Sequence, residues 1–118
     1  FYDYTVAAGV ANDVTQVTMS DFNRTFIGNA NQGVDHAWGG HQIVMGGAVK
    51  GGTFYGTFPT LAIGGPDDAG DEGQWIPTTA LDQVGATLAR WFGVPPADLP
   101  QVFPNLGAFA TPDLGFLT

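Results

Sequence analysis

Asp21, Arg24, Asp35, His36 and His41 fall in one stretch, Val17 to His41, with both histidines and one of the three basic side chains of this 118-residue chain. Carboxylate oxygens and imidazole nitrogens on a loop beside a strand end are the usual donors to a divalent ion. The stretch therefore reads as part of a metal site, with Asp35, His36, His41 and Asp21 as ligands and the rest supplied by other polypeptide. Zinc suits this donor set best, with calcium or manganese as alternatives. His36 and His41 are five residues apart. On a helix that offset turns them about 140° from each other, which excludes the HExxH arrangement of metalloproteases. A loop containing Gly39-Gly40 can curl both rings toward one ion, or aim them at two adjacent ions. Each residue also has a structural reading. Either histidine can be a turn residue bonded to backbone, Asp21 can close an Asx-turn, and Arg24 can sit in a buried ion pair.

Other chemistries find no residues to run on. The chain has no cysteine, so thiol and Cys-zinc chemistry are excluded. Ser20 is its only serine, and no base in a recognisable pattern accompanies it or any threonine. The glycine pairs lack the GxxxxGK[ST] spacing of a phosphate loop. Asp67, Asp68, Asp71 and Glu72 lie in GGPDDAGDEG without the register of an EF-hand loop, so an acidic surface turn is expected there. The net charge of −8, with Lys50, Arg24 and Arg90 the only cations, argues against nucleic acid and anionic membrane surfaces. No apolar run approaches the ~18 residues of a membrane span.

The elements that must position these residues are short. Tyr2, Val6 and Val10 repeat at helical spacing, so a helix is expected over Phe1 to Asp13, weakened by Gly9. It opens without an N-cap, so an upstream segment is expected to precede it. Val14–Ser20 alternates as a strand. Residues 21 to 40 are expected to be loop, rich in Asn and Gly. Gln42 to Phe58 predicts two short strands, with Lys50-Gly51-Gly52 as the turn, and Thr60–Ile63 a further one. Thr79 to Phe92 is the clearest helix: Leu81, Val84, Leu88 and Trp91 share a face, Thr79 and Asp82 resemble a capping box, and Gly93 stops it. The tail should wrap back through Phe103, Leu106, Phe109, Leu114 and Phe116. The fold class is α/β, loop-rich, and residues 1–118 read as a single unit. An unpaired sheet edge is expected, covered by other polypeptide.

The pieces SDFNRTF, GVDHAWGGHQIVMGGAVKGG, YGTFPTL and WIPTTALDQVGATLARWFGV, in that order, resemble the C-terminal part of the exported domain-of-unknown-function family numbered fifteen-zero-one. That family is itself similar to the alkaline phosphatase and sulfatase superfamily, whose members gather Asp and His around one or two divalent ions at strand ends. They also finish with a Pro-Thr, helix, Gly, Pro element like Ile76–Pro95. The resemblance implies an alkaline-phosphatase-like sheet with flanking helices, of which this chain is the C-terminal portion. It implies that Asp35-His36 is the Asp-His ligand pair, His41 a further histidine ligand and Asp21 an additional one. Arg24 stands where the family has an arginine, which would meet the transferring group through a bidentate contact. Asn23 replaces the glycine usual beside it, which alters the backbone freedom there. Trp38 is expected to wall the loop rather than touch substrate. Export by the twin-arginine route, and so a periplasmic or extracellular location, also follows from the resemblance.

Two functions from different classes result. One is part of a metal-dependent hydrolase of phosphate or sulfate esters, working only with an upstream segment of the same protein or another chain. The other is a non-catalytic surface or assembly protein that retains the fold and uses its apolar, Gly-rich faces to bind partners, an oligomer among them.

Overall fold

The computed structural model describes residues 1–118. The protein is mixed helix and sheet. Its strands form two separate two-stranded antiparallel sheets, with no parallel pair between them. Contacts divide the chain into two compact units, one of Phe1–Val17, Val44–Gly56 and Thr79–Thr118, the other of Thr18–Ile43 and Thr57–Thr78.

In the first unit, helix α1 spans only Tyr2–Ala7. Gly9, at φ +74°, ends it: its N–H donates to Val6 O and that of Val10 to Thr5 O, the paired bonds of a Schellman closure. The expected helix to Asp13 is thereby cut in two, with Ala11–Asp13 a separate 3-10 turn. The expected strand shrinks to β1, Thr15–Val17. A second strand, Val44–Gly46, is numbered β4 in chain order and pairs with β1, Thr15 opposite Gly46 and Val17 opposite Val44. The hairpin expected around Lys50–Gly52 does not form, because the partner of Val44–Gly46 lies far upstream in the chain. Gly46 has to be small: a Cβ there would stand 2.6 Å from Val14 O.

Helix α2, Leu81–Trp91, follows the apolar spacing closely. Its start differs from the expected Thr79–Asp82 box. Ala80 is the N-cap, and its N–H donates to Gln83 Oε1 at 2.9 Å, because the longer Gln side chain reaches back where Ala80 has no oxygen of its own. Ala86, Leu99 and Leu106 form a small core with Phe103, Ala89 and Val94 around it. The Phe103 ring lies directly over Gly85, where a Cβ would come within 2.6 Å of it. The tail folds back as expected. It contains helix α3, Leu99–Val102, and a 3-10 turn at Leu106–Ala108. Phe116 is buried, and Val49 bridges to Leu117.

In the second unit, residues expected to be loop form a hairpin. Strand β2, Asn23–Gly28, pairs with β3, Val34–Ala37, with Asn23 opposite Ala37, Arg24 opposite His36, and a shift of register before Gly28–Val34. The Asn-rich connection turns tightly: Asn29 Oδ1 accepts from the N–H groups of Asn31 and Gly33, and Gln32 takes φ +60°. These are Asx-turn contacts, so the Asn and Gly that suggest loop belong to the turn alone. Thr25 is buried, donating to Ile27 O and accepting from the Asp35 N–H. Trp75 is the largest fully buried side chain, with Phe26 edge-on at 4.9 Å. Thr60–Ile63 is not a strand.

Candidate functional site

All five candidate side chains belong to the second unit. The hairpin decides which of them meet. Side chains alternate across a strand, and burial follows that rule from Phe22 to Thr25 and from His36 to Gly39. Thr25, Ala37 and Gly39 are buried and Asn23 half-buried, while Phe22, Arg24, His36 and Trp38 are exposed. Asn23 is held on the inner side by its Nδ2, which donates to Gly39 O at 2.6 Å.

On the outer side Arg24 and His36 are cross-strand partners. Phe22 links them: the Arg24 guanidinium carbon stands 5.0 Å from the Phe22 ring centre, and the His36 ring 4.6 Å from it, tilted 47°. Arg24 Nη1 donates to Val34 O at 3.2 Å. No carboxylate lies within ion-pair distance of Arg24; the chain's ion pair is Arg90–Asp113, in the other unit. The structural reading of Arg24 as a buried ion pair is thus replaced by an exposed cation resting on an aromatic ring.

The other candidates are held elsewhere. Asp35 follows the opposite parity to His36 in β3, and its Oδ1 accepts from Asn29 Nδ2 at 2.8 Å. His41 stacks on Phe58, ring centres 4.6 Å apart and 25° from parallel. Asp21 is exposed in a bend after Ser20, whose hydroxyl donates to Phe22 O. No group of three or more His, Asp or Glu side chains is placed to hold a metal ion. Asp and imidazole donors suit a zinc-like ion chemically.

The acidic segment contains a built turn where a solvated one was expected. Asp68 accepts four backbone N–H bonds, from Gly64 and Gly73 to Oδ2 and from Gly70 and Gln74 to Oδ1. Desolvation pushes its carboxyl upward, but the four donors outweigh it and hold the group below its ordinary 3.8.

Sequence reasoning passed over Phe22 and set Trp38 aside as a wall. The signal was present as mirror spacing. Phe22-x-Arg24 and His36-x-Trp38 flank one Asn/Gly turn, so both pairs fall on one face once the strands pair.

The model of a family described as protein of unknown function (DUF1501) matches residues 6–89, from α1 into α2 and across both strand pairs. No curated protein and no solved structure matches the chain.

Proposed function

The chain belongs to the DUF1501 family, and from that premise we propose that it is the C-terminal portion of a larger exported domain acting on phosphate or sulfate esters. In this reading the whole domain has the alkaline-phosphatase and sulfatase-like sheet, and upstream polypeptide or a second chain completes both fold and site. The observation that carries it is the outer face of the β2–β3 hairpin. A guanidinium free of carboxylates sits opposite an imidazole on an exposed surface, in a chain of net charge −8. An unneutralised arginine amid so many acids is suited to an incoming anion.

Asp35, His36, His41 and Asp21 are the residues proposed to reach a divalent ion, zinc first, once further donors are supplied. The chemistry such an ion supplies when bound is polarisation of an ester oxygen. The exposed apolar surface supports completion by other polypeptide. Phe92 is 85% exposed, Tyr4 76% and Phe1 73%, apolar side chains that a covering polypeptide would bury. Location in the periplasm or outside the cell is part of the same proposal, through the family resemblance.

A second reading is favoured by a separate observation: each histidine ring lies against an aromatic ring, His36 on Phe22 and His41 on Phe58. In a non-catalytic assembly protein these contacts would be the histidines' whole purpose. Elemental analysis of the full-length protein, with a panel of phosphate and sulfate esters, separates the two. Bound divalent metal and ester hydrolysis are expected, with the metal lost in His41→Ala and hydrolysis lost in both His41→Ala and Arg24→Ala. A metal-free protein without ester turnover leaves the assembly reading.

A further inference from the structure

The paired strands end at Asn23 and Ala37, and the residues just beyond them, Phe22 and Trp38, are both exposed and share the parity of Arg24 and His36. Four exposed side chains, two aromatic and two nitrogen-bearing, thus share one face of the hairpin. The buried face carries Thr25, Ala37 and Gly39, so the sheet does not need these four for its core.

We propose that Phe22, Arg24, His36 and Trp38 form a binding face for an aryl phosphate or aryl sulfate monoester. The flat ring lies on the aromatic pair, and the anionic group meets Arg24 and His36. The anion requirement comes from charge. Arg24 has no carboxylate partner although the chain carries eleven acidic residues. Its one bond, to Val34 O, leaves most of the five guanidinium donors open. The contact with Phe22 at 5.0 Å anchors the side chain, so less rotamer freedom is lost on binding.

The ring requirement comes from Trp38, which is 65% exposed and shares the strand parity of His36, as Phe22, 40% exposed, shares that of Arg24. Exposed aromatic faces take a further ring in offset or edge geometry. The small size of the ligand follows from the surroundings. A net charge of −8 repels a polyanion, which removes nucleic acid and leaves a compact monoester whose charge is met locally. This deepens the ester reading of Arg24 and rests on it for the class of anion, while the aromatic half stands on the hairpin geometry alone.

The test measures binding, without turnover and without metal. The 15N-labelled protein is titrated in EDTA with 4-nitrophenyl sulfate and 4-nitrophenyl phosphate, following the Trp38 indole N–H peak identified by Trp38→Phe. A saturable shift of that peak is expected, with Trp75 and Trp91 unmoved as controls of the fold. Affinity should fall about tenfold or more in Arg24→Ala and in Trp38→Ala, and Arg24→Lys should lie between. Inorganic sulfate and 4-nitrophenol, each offering half of the ligand, should bind at least about tenfold more weakly. Absence of a saturable Trp38 shift overturns the proposal, as does undiminished affinity in the two alanine variants. Inorganic sulfate binding as tightly as the aryl ester overturns the aromatic half. Because ester hydrolysis is not the readout, an inactive but binding protein refutes the hydrolase reading and leaves this face intact.

Discussion

Gly39→Ala is the sharpest probe of the second unit. Gly39 is buried, and its N–H donates to Trp75 O at 3.0 Å. A Cβ added there would stand 2.4 Å from that same oxygen, 3.1 Å from the Trp75 carbonyl carbon and 3.3 Å from Pro77 N. All three are backbone atoms, so no side-chain rotation relieves the clash, and the two segments must separate. Overpacking of this kind costs about 1–3 kcal/mol, and the stretched hydrogen bond adds about 1 kcal/mol. The sum, about 2–4 kcal/mol, is a large part of a typical stability of about 5–15 kcal/mol. At this chain length it corresponds to a fall in Tm of roughly 8–16 °C. Thermal melts of the protein and of Gly39→Ala, with Gly51→Ala as control, check it. A methyl group added at Gly51 would meet no atom within 4 Å, so its variant should melt within about 2 °C of the parent. A Gly39→Ala protein that melts with the control would refute the packing of Trp75 against this turn.

Asp68→Asn should destabilise the turn at neutral pH, because an amide offers one acceptor oxygen to the four N–H donors now shared by two. Since the folded carboxyl titrates below 3.8, its contribution is complete above that value and fades as pH falls through the lower folded one. The Tm gap between parent and variant should therefore close on acidification from about pH 5 toward about pH 2. Thr87→Val keeps the shape of a buried side chain but leaves the Leu114 N–H without its acceptor. Urea titration should show a loss of about 1–3 kcal/mol. His41→Phe preserves a stacked ring on Phe58 while deleting a nitrogen donor. On the hydrolase reading the full-length variant should hold its Tm and lose metal by elemental analysis, whereas unchanged metal content would remove His41 from the ligand set.

Local pattern located the long helix and missed the central hairpin. The spacing of Leu81, Val84, Leu88 and Trp91 located α2 to within two residues at its start and one at its end, because a helix closes its hydrogen bonds within itself. Residues 21 to 40 show no stable period, and their Asn and Gly suggested loop throughout. They form β2 and β3, whose bonds are made between segments and so leave a weaker mark on either one. The same reason explains the misplaced hairpin near Lys50. Val44–Gly46 had a suitable strand pattern, but its partner was β1.

For the site, residue types by themselves determined which side chains could do chemistry: one guanidinium, two imidazoles and two aspartates within a single short stretch. They also determined what was excluded, since a chain without cysteine and with three cations has no thiol chemistry and no basic surface. Tertiary structure alone decided the grouping. Pairing of β2 with β3 brought Arg24 to His36, turned Asp35 to the opposite parity, and left His41 on Phe58. Chemical identity is local to a residue, whereas proximity depends on register, and register is set by a turn and a buried face that only exist once the strands have met.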